Sequence, residues 1–246
     1  MMADAVSMSA GVGTLRSMKL GLVTAFHGRE NLTRMWCEHT QHFGLPIYAA
    51  ITVGDEAISE IARDGCQLFV SMPNNPVGAK FNAALALAME DGCDAVMILP
   101  SDDFISQEWV DKCLETLASG VLYFKPARIA VHQPGRGSYE LRSDGRSCGN
   151  YGAGRVVHRS VIEAVGELWP GGRDQGLDSE SHGRIRGAGF ECTAVLTQQI
   201  PLVDIKCGEN IHSWDSFRGS GHRCTDDQAL HMISLSLREQ MTPIRA

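Results

Sequence analysis

Two adjacent carboxylates, Asp102 and Asp103, close an apolar run that begins at Ala95, with Pro100-Ser101 between and Phe104-Ile105 behind. A short apolar run bounded by turn residues fits a strand buried on both faces. Ionised carboxylates are costly to bury without partners, so their place is just past the carboxyl end of that strand. Open α/β sheets bind their ligands there. Two carboxylates in that position make a hard-oxygen site suited to Mg²⁺ or Mn²⁺, which also take oxygens from a phosphorylated substrate. The same three residues read equally as a helix N-cap, Ser-Asp-Asp, with an acidic first turn favoured by the helix dipole.

Other residues with chemical potential stand in a defined order around this pair. They are Asn75-x-x-Gly78-x-Lys80-x-Asn82, then Gly152-Ala153-Gly154-Arg155, Gly176-Leu177-Asp178-Ser179 and a late His212. Lys80 falls in the first turn of a predicted helix, where a cation is unfavourable to the dipole. A phosphate contact there competes with a plain solvated lysine. Gly152–Arg155 reads as a close backbone approach, since glycine admits contacts that a side chain would block. It is not a dinucleotide fingerprint, because Val157 stands in place of the third glycine and no strand immediately precedes it. The chain also lacks a Gly-Lys-Ser/Thr phosphate loop, a His-Glu-x-x-His helix and a Gly-x-Ser-x-Gly elbow.

The elements that must position these residues alternate. Strands are predicted at residues 19–25, 47–53, 67–70 and 95–99, with helices at 31–42, 56–63, 77–90 and 107–118. Asn75 is read as the cap of the third helix and Pro76 as its first residue. Alternation of this kind implies a mostly parallel sheet with helices on both faces. Further on, residues 121–132 read as a strand, and 133–150 as a hairpin or mobile loop too polar for a core. A helix is expected at 157–168, a short one at 178–187, a strand at 194–205 and a final helix around 226–237.

Length and composition fit one α/β domain over residues 18–246, preceded by a disordered segment at 1–17. Hydrophobic residues make up 43% and charged residues 21% of the chain, as in an ordinary soluble protein. The net charge of −7 gives no general footprint for nucleic acid or anionic membrane. The eight cysteines are scattered without a Cys-x-x-Cys pair, as small hydrophobes in a reducing compartment would be. No stretch approaches a transmembrane span of ~20 apolar residues, so the cytoplasm is the expected location and membrane insertion is not expected.

Taken in that order, the motifs resemble the glycosyltransferases of the GT-A fold. The likeness is closest to the inverting enzymes of the large family that includes many polysaccharide and lipid glycosyltransferases. It covers residues 19–214, and its strongest element is Ser101-Asp102-Asp103, a variant of that fold's Asp-x-Asp motif. The resemblance implies a GT-A-like (Rossmann-like) sheet sandwiched by helices and an irregular C-terminal tail. It implies a nucleotide diphosphate sugar as donor, with Asp103 as metal ligand, Asp102 near the ribose or sugar, and Asp55 as the carboxylate that recognises the base. Gly154 would lie near the donor sugar and His212 would join the metal. The base that deprotonates the acceptor would be Asp178, with Asp174 and Glu180 as competitors. Ser101 replaces the first Asp that this motif often carries, which weakens that contact. A nucleotidyltransferase of similar architecture and a non-catalytic nucleotide-sugar-binding protein remain as alternatives. The acceptor is unspecified. The arginines from Arg136 to Arg155 could receive an anionic one, including modified nucleic acid.

Overall fold

The structure is a computed structural model, and it describes residues 18–143, 151–207, 214–217 and 221–241. The segment 1–17, His212, and the expected loop beyond residue 143 lie outside the described residues.

In chain order the elements are β1 (Leu20–Phe26), α1 (Glu30–Gln41), β2 (Ile47–Thr52), α2 (Glu56–Gly65), β3 (Leu68–Met72), α3 (Val77–Glu90), β4 (Ala95–Ile98), β5 (Asp103–Ile105) and α4 (Gln107–Ala118). There follow β6 (Tyr123–Pro126), β7 (Arg128–Gln133), β8 (Gly137–Arg142), β9 (Arg155–His158), α5 (Arg159–Val165), α6 (Leu177–Gly187), β10 (Thr193–Val195) and β11 (Leu202–Ile205). A 3₁₀ turn at Trp214–Phe217, then β12 (His222–Cys224), α7 (Asp226–Leu230) and α8 (Leu235–Met241) complete the described chain.

These strands form two sheets in a single mixed α/β domain. The first has seven strands in the order β10-β6-β9-β4-β1-β2-β3, all parallel except β9. The second has five, in the order β12-β8-β7-β11-β5. Alternate residues of the central strands feed two cores. Leu22, Met97 and Val156 join Trp36 and Trp109 on one face. Val23, Ile98 and Val157 join Phe81, Trp169 and Ile185 on the other. Covering both faces explains why β4 reads as an unbroken apolar run.

Several local expectations change. Ser101-Asp102-Asp103 caps no helix. Asp103 opens β5, and α4 is capped instead by Ser106, which accepts from the Trp109 N–H. Asn75 does not cap α3. The Val77 N–H is met by Asp174 Oδ1 at 2.8 Å, from 97 residues away. The run 121–132 is two strands that change sheets across Ala127, whose N–H donates to Val195 O and whose carbonyl accepts from the Ser143 N–H. The first part of the polar stretch 133–150 is a β7–β8 hairpin with Ser138, Tyr139, Glu140 and Leu141 buried. Its acid is held by Arg142 at 2.9 and 3.0 Å. Val156 and Val157 belong to the antiparallel β9, so the expected 157–168 helix shrinks to α5. The expected strand 194–205 is split into β10 and β11 of different sheets, and the last helix into α7 and α8.

His39 ties α1 to the second sheet. It is buried, its Nε2 lies 2.7 Å from Ile105 O, and its ring meets those of Phe43 and Phe104, each at 5.3 Å. Burial lowers its pKa, against a smaller opposing pull from the Ile105 carbonyl. A histidine held below its unfolded value of ~6.5 contributes stability that is fully present above that pH. The contribution is lost as pH falls through the folded value. His39→Gln should therefore cost more unfolding free energy at pH 8 than at pH 5. Urea denaturation at the two pH values tests it, and equal costs would show that His39 titrates as it does in the unfolded chain.

Candidate functional site

Acidic side chains converge where β4 runs out and β5 turns back beside β11. The β5–β11 ladder is antiparallel and places Asp103 directly opposite Asp204. Asp103 is 3% exposed. Burial first, then the charges of Asp204 and Asp102, pushes its carboxyl well above the ordinary range, with Lys206 opposing. Burial also pushes Asp204 up, to about 6, although Lys206 Nζ sits 2.6 Å from its Oδ2. The Oδ1 atoms of both Asp103 and Asp204 are buried and have no hydrogen-bond partner among the described residues.

Asp102 turns to the other side of the ladder's end. Its Oδ2 accepts from Arg29 Nη1 at 3.1 Å, its carbonyl accepts from the Ile205 N–H at 2.8 Å, and Arg29 Nη2 reaches Ser101 Oγ at 2.7 Å. Arg29 sits at the N-terminal boundary of α1 with φ 50°, a left-handed conformation uncommon outside glycine. Ser101 thus serves as an anchor for the arginine that steadies Asp102.

Asp178 approaches from the first turn of α6. Its carboxylate fills the space beside Gly152 so closely that a Cβ on Gly152 would lie 2.0 Å from Oδ1. Arg155, buried on β9, donates to the Asp178 carbonyl at 3.3 Å and to Ser181 Oγ at 2.6 Å. The Gly152-Ala153-Gly154-Arg155 motif and the Asp178 turn are therefore one unit. Its first glycine makes room for the acid, and its arginine holds the helix that carries it. The Asp178 charge is also the smallest of those acting on Asp103. Gly154 turns the other way. With φ +70°, it packs where a Cβ would meet Leu202 Cδ1 at 2.8 Å and Trp109 Nε1 at 3.3 Å, inside the core.

The remaining predicted residues are committed to the frame. Lys80 is 1% exposed and is no solvated lysine. Its Nζ donates to Phe26 O at 2.6 Å, Thr52 Oγ1 at 3.0 Å and Asn74 Oδ1 at 3.4 Å, which uses all three protons on the ends of β1 and β2 and on the loop after β3. Burial lowers its pKa to about 8. Asp55 caps α2 through the Ile58 N–H and accepts from the Gly28 N–H at 3.0 Å, joining the loops after β1 and β2. Asp174 is the cap of α3 described above, and Glu180 pairs with Arg173 at 3.0 Å. Among the described residues, no group of three or more His, Cys, Asp or Glu side chains is disposed to hold a metal ion.

Sequence reading did not single out Asp204 or Lys206, and it met Arg29 only as the end of a poor triphosphate loop after the first strand. For Asp204 a signal existed, an acid set inside Leu202-Val203-Asp204-Ile205. The same logic that marked Asp102 and Asp103 applies to it.

No family model matches the sequence, and no curated protein matches it. Solved structures do. Residues 1–349 of TarS from S. aureus align with TM-score 0.52 at 10% identity, over 76% of this chain and 60% of that one. Rv0371c from Mycobacterium tuberculosis H37Rv aligns with TM-score 0.46 at 12% identity, over 82% of this chain and 97% of that one. The chain thus spans three-fifths of the TarS fragment and has a distant likeness to its fold. None of its described helices is long and apolar enough to cross a membrane.

Proposed function

We propose that the protein is a GT-A-type glycosyltransferase that moves a sugar from a nucleotide diphosphate donor to an acceptor hydroxyl with inversion. The observation that supports this reading is the place of Asp102 and Asp103 just past the carboxyl end of β4 in a largely parallel sheet, with the Asp178 charge among those acting on Asp103. In this reading Asp178 takes the acceptor's proton as the hydroxyl oxygen bonds to the anomeric carbon. The bond from that carbon to the donor's diphosphate breaks, and the electron pair leaves with the diphosphate. The unpartnered Oδ1 of Asp103 fits a divalent cation, Mg²⁺ or Mn²⁺. Such an ion would supply positive charge to the leaving diphosphate. Asp102, oriented by Arg29, is assigned to the donor's ribose or sugar, and His212 remains the proposed late ligand. Lys80 and Asp55 act in this reading as posts that fix the loops after β1 and β2 around the nucleotide.

Nucleotidyl transfer is less well served. It calls for a free cation in the loop after β1, and Arg29 there is already engaged by Asp102 and Ser101.

A thermal-shift panel of nucleotide-sugars and nucleoside triphosphates, with and without Mn²⁺, tests the reading. A donor at 100 times its Kd stabilises the fold by about 2.7 kcal/mol. A Mn²⁺-dependent shift with one nucleotide-sugar, followed by its slow hydrolysis, is the expected result. Shifts from triphosphates alone would favour the nucleotidyltransferase. Binding without hydrolysis or transfer would leave a nucleotide-sugar-binding protein.

A further inference from the structure

Asp204 stands outside every motif discussed above, yet it shares the most buried part of the site. Residues directly opposite on an antiparallel ladder bring their Cβ atoms to about 4.5–5.5 Å, and like charges so placed repel. The charges that act most on Asp103 are three carboxylates, Asp102, Asp178 and Asp204, against the ammonium of Lys206. Each member of the opposed pair keeps one oxygen, Oδ1, buried and without a donor among the described residues. An unmet anionic acceptor is a costly thing to bury.

The arrangement around the pair is ordered. Lys206 binds Asp204 through Oδ2, and Arg29 binds Asp102 through Oδ2. The cations orient the acids without covering the Oδ1 atoms of Asp103 and Asp204. We propose that Asp103 and Asp204 together bind one divalent cation through these two oxygens, with Asp204 as a ligand in its own right and Lys206 as the residue that orients it. Two carboxylate oxygens form a hard ligand set. Mg²⁺ and Mn²⁺ are commonly held by one or two carboxylates, with water and substrate phosphates completing the shell. The proposal rests on the reading of Asp103 as the metal anchor.

The test is titration calorimetry of the full chain with Mn²⁺ alone at pH 7.5. Wild type should bind one ion. Asp204→Asn and Asp103→Asn should each weaken binding at least about tenfold, a change of 1.4 kcal/mol. Asp204→Cys should shift preference from Mn²⁺ toward Cd²⁺, because thiolate selects softer metals, and a merely structural Asp204 would not give this exchange. If Asp204→Asn loses its native near-UV dichroism, the decision is read from Asp204→Cys. Wild-type Mn²⁺ affinity in Asp204→Asn, with binding lost in Asp103→Asn, would overturn the role of Asp204 and leave that of Asp103 standing. Mn²⁺ affinity unchanged in both variants would overturn the metal reading of the site as a whole.

Discussion

Asp178→Asn is expected to lower turnover by about 10²–10⁴-fold while leaving donor affinity nearly unchanged. The substitution is well suited to its purpose because the turn that carries the side chain is held without its carboxylate. Arg155 grips the turn through the Asp178 backbone carbonyl and Ser181, and both contacts survive in the Asn variant. What disappears is the capacity to take a proton. Measuring kcat against a fixed acceptor, with donor Kd measured separately, divides these effects. Full turnover in the variant would remove Asp178 from the mechanism. The nearby acids are poor substitutes. Asp174 holds the N–H of Val77 and Glu180 holds Arg173, so either would have to leave a partner to serve.

Gly152→Ala should produce a loss of similar kind without touching an ionisable group. The added methyl would fall 2.0 Å from Asp178 Oδ1 and 2.7 Å from its Cγ, closer than real contacts allow, so the acid must move. A displacement of 1 Å in a reacting group can cost about 10²-fold in rate. The expected signature is a fall in kcat with donor affinity preserved. The double variant with Asp178→Asn should be no slower than the slower single one, since both changes remove the same function. Full additivity of the two losses would mean that Gly152 acts on something other than Asp178.

The first half of the fold was legible because its signals are local. Buried parallel strands are continuous apolar runs, and the helices between them carry one apolar face, so β1 to β4 and α1 to α4 fell close to their predicted places, while the short β5 was not foreseen. The second half hides its logic in partners far along the chain. Glu140 and Ser138 look like loop residues until Arg142 and Asp226 are beside them. Val156 and Val157 suit a helix or a strand equally, and only the gap between β4 and β6 decides. Ala127 gives no sign that the chain leaves one sheet for another. In the site, the acids at the end of β4 were readable from the cost of burying charge. The cooperation of Gly152 with Asp178 was not, because a close approach between residues in separate elements leaves no spacing to read. Lys80 shows the converse. Its position drew a functional reading, and its three hydrogen bonds supply a structural task.

The ladder between β5 and β11 also bears on how the chain finds its fold. Along β11 the acid alternates with fully buried Val203 and Ile205, and along β5 Asp103 precedes fully buried Phe104. Sliding β11 by a single residue would exchange its faces, sending Asp204 among hydrocarbon side chains and setting an aliphatic residue against Asp103. The correct alignment differs from its nearest competitors by the cost of a misplaced charge, a far larger penalty than a change of aliphatic partner. A strand of four residues, too short to specify its own alignment by packing, is thereby kept from pairing out of step during folding.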